Sequence, residues 1–139
     1  MSYVRIVSKR KGGPPAQAGE LVVPIDRSNP ILGNPIVLAD HLDAAARERV
    51  LREFDELRAK DEGVNGPITQ ELRRLGRLVD SGQPIAMQCW CAPRPCHGNP
   101  LRAQLERMLG RDLRPSDERE AQLQAEAQAR AAGAQASLF

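Results

Sequence analysis

The densest chemistry in the chain lies in one run, Cys89-Trp90-Cys91-Ala92-Pro93-Arg94-Pro95-Cys96-His97-Gly98-Asn99-Pro100. All three cysteines and one of the two histidines fall in it. Two chemistries fit these residue types. In the first, Cys96 is a nucleophile: a helix N-terminus stabilises a thiolate, and the adjacent His97 can assist as base. Cys96 and Arg102 also share the C-x5-R spacing of cysteine phosphatases, although Pro100 removes one N–H from the phosphate cradle such enzymes need. In the second, Cys89, Cys91, Cys96 and His97 hold zinc or iron. Their C-x-C-x4-C-H spacing departs from the usual C-x2-C pair, and neighbouring Cys96 and His97 make awkward co-ligands. The plain alternative is that the cysteines pack as small hydrophobes while His97 holds a loop by hydrogen bonds.

The elements that must position this run are legible around it. Pro84 to Cys91 is short, nearly all apolar and bounded by prolines, which predicts a buried strand. Asn99 and Pro100 are suited to the cap and first position of a helix whose stripe is Leu101, Leu105, Met108 and Leu109, closed by Gly110. The run therefore leads from a strand C-terminus into a helix N-terminus, where open α/β sheets bind ligands. The helix start offers N–H groups to a phosphate, Gly98 lets the backbone approach, and Arg94 and Arg102 can add charge-assisted bonds.

Upstream, Tyr3–Val7 and Leu21–Ile25 read as two short strands separated by a Lys-Arg-Lys-Gly-Gly-Pro-Pro segment. Asp26 to Pro35 holds two turn signals and reads as a long loop of the functional kind. Asp40 is expected to cap a helix with the stripe Leu42, Ala46, Val50, Phe54 and Leu57, whose solvated faces carry Arg47, Arg52 and Arg58. His41 is read as a solvated residue of its first turn. Asp61 to Gly66 breaks that helix, Pro67 opens the next, and Leu72, Leu75, Leu78 and Val79 form its stripe before Ser81-Gly82. The order β-β-α-α-β-α predicts an α/β fold: a small sheet with helices in two or three layers, and a helical or disordered C-terminal tail.

Composition bounds the rest. The chain has 139 residues, enough for one domain and a tail. Twenty basic and 18 acidic residues leave a net charge of +2. That balance speaks against a strongly basic nucleic-acid coat, so direct nucleic-acid binding is not indicated, and against an acidic disordered chain. Aromatics are 3%, so the core must be aliphatic. There is no apolar run of about 18 residues to span a membrane. The N-terminal residues lack a secretory pattern, and clustered cysteines do not suit a disulfide framework; both favour a cytoplasmic protein.

The pattern Cys-Trp-Cys-x-Pro-x-x-Cys-His-Gly at 89–98 resembles the signature of a bacterial and phage domain family of unknown function. That family also carries a Gly-Asn-Pro motif after its second strand, preceded by an arginine. Ile25-Asp26-Arg27 and Ser28 to Pro35, with Gly33-Asn34-Pro35, match that element. The resemblance covers roughly residues 3–109 and departs at Ile36, commonly phenylalanine, and at Ile25-Asp26, commonly an aromatic-Ile-Gly run. It implies that the Arg27, Gly33 and Asn34 loop belongs with the Cys/His loop. A small phosphate-bearing ligand would then meet Arg27, Gly33, Asn34, Arg94, Gly98 and Asn99 beside Cys96 and His97. That pairing favours a nucleotide or small-molecule site, with a structural zinc or iron knuckle as the alternative.

From Arg111 the composition shifts to Ala, Gln, Glu and Arg without an apolar stripe. We therefore divide the chain into a compact domain at 1–110, a helical or disordered tether at 111–134, and a partner peptide at 135–139. Gln135-Ala136-Ser137-Leu138-Phe139 resembles the bacterial sliding-clamp-binding pentapeptide. Gln135, Ser137, Leu138 and Phe139 stand at its recurring positions, and Ala136 replaces the usual leucine. The resemblance implies recruitment to DNA through the clamp rather than through a basic surface. A non-enzymatic adaptor built on a metal knuckle is the competing function.

Overall fold

The computed structural model describes residues 2–36, 43–90 and 96–136, the last three by backbone alone. Its elements are β1 (Val4–Ser8), β2 (Leu21–Pro24), α1 (Ala44–Val64), α2 (Pro67–Asp80), β3 (Ile85–Cys89), α3 (Gly98–Leu109) and α4 (Ser116–Ala136). The fold is α/β, in the order expected, with the tail forming a fourth helix.

The sheet is wholly parallel in the order β1-β3-β2. Ile85 of β3 sits between Val4 and Leu21, and the register runs on to Ser8↔Cys89 on one side and Pro24↔Gln88 on the other. A central parallel strand is covered on both faces, which explains the apolar run of β3: only Gln88 escapes full burial. Residues 9–20, which join β1 to β2, carry no helix. Glu20 stitches that connection to β1. Its buried carboxylate accepts from the Tyr3 hydroxyl at 2.6 Å, Arg5 Nε at 2.8 Å and the Gln17 N–H at 2.7 Å. Burial alone would raise the Glu20 pKa, and these donors reverse that and hold it low.

The core gathers Val4, Ile25, Leu32, Phe54, Leu72, Leu75, Met87, Leu101, Leu105 and Leu113, each essentially inaccessible. Leu113 lies beyond the compact region expected to close near residue 110. It fills the core, and its N–H donates to Glu106 Oε2 at 2.8 Å. Two charged contacts then fasten the start of α4: Arg102 to Glu118 at 2.9 and 2.7 Å, and Arg5 to Asp117 at 3.0 Å.

The structure revises three local readings. The cap of α1 is Asp43, whose side chain accepts from Ala46 N at 3.1 Å; the expected cap Asp40, with Leu42 and His41, lies outside the described residues. The buried stripe of α1 is Val50, Phe54 and Arg58, while Leu57 is exposed. Arg58 is buried because fully buried Gln104 needs a donor: Nη1 of Arg58 meets Gln104 Oε1 at 2.9 Å, and Asp55 and Glu62 neutralise its charge from the rim. The segment Asp61–Gly66 is mostly helix, and α1 continues to Val64. Asp61 instead caps α2 from outside it, accepting from Ile68 N at 3.1 Å and from Thr69 N at 2.8 Å. Gly66 leaves room for this, since a Cβ there would lie 2.3 Å from Asp61 Oδ2.

Candidate functional site

A cavity of about 150 Å³ opens beyond the carboxyl ends of β2 and β3. Among the described residues its walls come from four elements. The segment after β2 supplies Asp26, Arg27, Asn34 and Ile36; α1 supplies Arg47, Val50 and Leu51; the end of β3 supplies Cys89 and Trp90; and the entry to α3 supplies His97. The two motif-bearing segments meet here, about 60 residues apart in sequence, as the position of their strands in one parallel sheet requires.

The loop from Asp26 to Ile36 is ordered by its own side chains. Asn29 Oδ1 accepts from the N–H groups of Ile31 and Leu32, both at 2.9 Å, and its Nδ2 donates to Pro24 O at 2.8 Å. Leu32 is driven into the core by this turn. Gly33 passes so close to the loop's start that a Cβ would lie 2.3 Å from Asp26 O and 2.5 Å from Asn29 O. Gly33 thus shapes the loop and does not line the cavity. Asn34 Oδ1 accepts from Ile36 N at 2.9 Å, closing a second turn. Arg27 is exposed at the cavity wall and has no ion-pair partner among the described residues.

Asp26 and Trp90 form the opposite kind of feature, a closed internal network. Asp26 Oδ2 accepts from Lys9 Nζ at 2.8 Å and from the Trp90 indole N–H at 3.2 Å. Its Oδ1 accepts from Ser28 N at 3.0 Å and from the Ser28 hydroxyl. The Lys9 bond above all, then Ser28, hold the Asp26 carboxyl well below the usual carboxylate range. Lys9 Nζ also lies 5.8 Å from the Trp90 ring centre. The indole is pinned at its edge, yet the residue is 56% exposed.

His97 is buried at the floor. Its Nε2 bonds the carbonyl of Ile25, and since a carbonyl can only accept, the proton sits on Nε2 and the lone pair on Nδ1. Nδ1 faces Cys96 Sγ at 3.8 Å, so the thiol is the donor. The ring meets Phe54 edge-on at 5.1 Å. Burial lowers the His97 pKa against the opposing effects of the Ile25 carbonyl and Asp26, which keeps the ring neutral.

The start of α3 differs from the expected phosphate cradle. The helix begins at Gly98 with His97 as its cap, ahead of Asn99. Its leading N–H groups are already used, Gly98 N by Cys96 Sγ at 3.4 Å and Asn99 N by Cys96 O at 3.0 Å, and Pro100 has none. Cys96 is 2% exposed and does not line the cavity, whereas Cys89 does. Gly98 serves packing: a Cβ would meet Ile25 Cδ1 at 2.9 Å and Ile6 Cδ1 at 3.1 Å. Asn99 lies in a separate groove with Arg5, Arg102 and Asp117. Arg102 is committed to Glu118 and to Val4 O at 3.2 Å, so the C-x5-R spacing does not assemble a phosphatase arrangement.

Arg94 and Cys91 fall outside the described residues, as do Ser137, Leu138 and Phe139; Gln135 is in the last turn of α4. Among the described residues no three His, Cys, Asp or Glu side chains are grouped to hold a metal ion. A knuckle would have to draw on Cys91. Sequence reasoning did not single out Trp90, Asp26, Arg47, Val50 or Leu51 as site residues. The one available signal was Trp90, a lone tryptophan in an otherwise buried apolar run.

These features define a small α/β domain with a crevice at the carboxyl end of a parallel sheet. Over residues 7–107 the chain matches the model of a family described as a domain of unknown function (DUF4326), and it belongs to that family. No curated protein and no solved structure matches the chain. Among the described residues no helix is long and apolar enough to cross a membrane.

Proposed function

We propose that the crevice binds a nucleotide-like ligand, a flat ring joined to an anionic group, and that the domain serves a nucleotide- or nucleic-acid-linked process. The observation that carries this reading is the pairing of an exposed, edge-pinned Trp90 ring with the Arg27 guanidinium, which has no ion-pair partner among the described residues, at one cavity. An indole face supports stacking by a base, a contact of about 1–3 kcal/mol. A guanidinium recognises phosphate oxygens in a fork geometry. Ile36, Val50 and Leu51 give the apolar wall that such pockets use for affinity. Cys96 and His97 enter as a positioning pair: the thiol fixes the helix start, and the imidazole ties it to Ile25 under the cavity floor.

Isothermal titration with nucleoside monophosphates tests this. Binding should be present in the wild-type chain and lost in Trp90→Ala. The melting temperature should stay near wild type, because Trp90 is more than half exposed. Undiminished binding by the variant would overturn the reading.

Recruitment belongs to the same proposal. Helix α4 runs from Ser116 to Ala136, about 30 Å at 1.5 Å per residue. Its side chains are exposed from Glu120 to Gly133. Such a rod supports presentation of the 135–139 peptide to a sliding clamp at a distance from the crevice. Deleting 135–139 should abolish binding to a purified bacterial clamp and leave nucleotide affinity unchanged. Clamp binding that survives the deletion would refute recruitment through the peptide.

A further inference from the structure

We infer that the Trp90 crevice selects a single-ring base carrying a phosphate, that is, a pyrimidine nucleoside monophosphate, over purine nucleotides and over uncharged nucleosides. This rests on the reading that the crevice takes a nucleotide-like ligand, and adds which one.

The first support is the inventory of polar atoms. The side-chain acceptors described at the cavity are spent within the protein. Asp26 uses both oxygens on Lys9, Ser28 and Trp90, and Asn34 Oδ1 is held by Ile36 N. His97 Nδ1 faces the Cys96 thiol. The groups left over are donors: the Arg27 guanidinium and the Asn34 amide nitrogen, neither of which has a partner among the described residues. A lining of unused donors complements a ligand made of acceptors, such as phosphate oxygens and the carbonyl oxygens of a pyrimidine. Because Lys9 neutralises Asp26 at 2.8 Å, no free carboxylate among these groups opposes an anion at Arg27.

The second support is size. The cavity is half open and holds about 150 Å³ within its walls, room for a benzene-sized ring. A purine adds a second fused ring. Lys9 stands over the Trp90 ring, which leaves one face of the indole for stacking. The indole's hydrogen bond to Asp26 fixes that face before the ligand arrives, so little ordering is left for binding to impose.

The chain has one tryptophan, so its intrinsic fluorescence reports on this crevice alone. The test titrates the full-length protein with uridine monophosphate, adenosine monophosphate and uridine, exciting Trp90 beyond the nucleotides' own absorption. The expected result is a Kd for uridine monophosphate at least about tenfold below those of the other two, the scale on which pockets discriminate one added group. Arg27→Gln, which breaks no side-chain hydrogen bond or ion pair among the described residues, should raise the Kd for uridine monophosphate to that of uridine and leave uridine unchanged. Equal affinity for the uridine and adenosine monophosphates overturns the selection by ring size while leaving the nucleotide reading intact. Equal affinity for uridine and its monophosphate, or no effect of Arg27→Gln, overturns the selection by charge. No response to any of the three at millimolar concentration overturns the nucleotide reading itself.

Discussion

Replacing Gly33 by alanine perturbs the loop that carries Arg27 and Asn34 without touching either. The added Cβ would lie 2.3 Å from Asp26 O and 2.5 Å from Asn29 O. Both obstacles are backbone, so no side chain can swing aside. The Gly33 N–H bond to Asn29 O, 3.0 Å long, holds the two strands of the turn together at that point. Overpacking of this kind costs about 1–3 kcal/mol. For a domain of this size that is a fall of roughly 4–12 °C in melting temperature. The loop must open to admit the methyl group, and Leu32 one residue away is fully buried, so the opening is transmitted to the core. Thermal unfolding followed by circular dichroism reads the stability, and nucleotide titration reads the displacement of Arg27. Gly63→Ala in α1 is the control: nothing lies within 4 Å of its Cβ, and a helical alanine should raise stability by up to about 1 kcal/mol. If Gly33→Ala matches wild type in both melting temperature and ligand affinity, the close-packed loop is wrong.

Three further outcomes follow from the packing. The lowered pKa of His97 means that the unfolded chain binds more protons than the folded one between the folded value and 6.5, so this part of the stability is present above pH 6.5 and lost as the pH falls below it; His97→Gln should flatten that slope in pH-dependent denaturation, while the carboxylate-linked loss below about pH 4.5 persists. Arg58→Met should lower stability by about 1–3 kcal/mol in urea unfolding by orphaning Gln104 Oε1, and Arg58→Met with Gln104→Leu should recover most of the loss. Leu113→Ala should cost about 2–5 kcal/mol, whereas truncation after Arg119 should leave the melting temperature nearly unchanged, since α4 beyond its first turn is exposed.

The strands and helices were readable because each carries one dominant signal: a continuous apolar run for β3, a periodic stripe for α2 and α3, and Gly110 in the left-handed conformation closing α3 at φ 70°. What escaped reading depends on contacts between distant segments. Arg58 looked like a solvated charge because its reason for burial, Gln104, is 46 residues away. Leu113 stood in a polar tail, with nothing local to show that it completes the core. The motif pairing of Arg27 and Asn34 with His97 was legible, because the family resemblance puts the two motifs together and each ends a predicted strand. The expected use of the helix start was not, because Cys96 itself occupies the N–H groups that a ligand would need. Trp90 took on a role only when the fold set it, bonded to Asp26 and more than half exposed, at the wall of the cavity.

Stacking of a nucleotide-like anion on Trp90 beside Arg27 can be watched directly at the indole. The indole N–H of the single tryptophan gives one resonance in a proton–nitrogen correlation spectrum, and its bond to Asp26 places it at the rim of the crevice. On adding uridine monophosphate we expect a saturable shift of that resonance, together with the backbone signals of Arg27, Asn34 and Leu51, while Asn99 and Ala121 in the separate groove stay still. A spectrum in which the indole resonance does not move, or in which the shifts gather at Asn99 and Ala121, would contradict it.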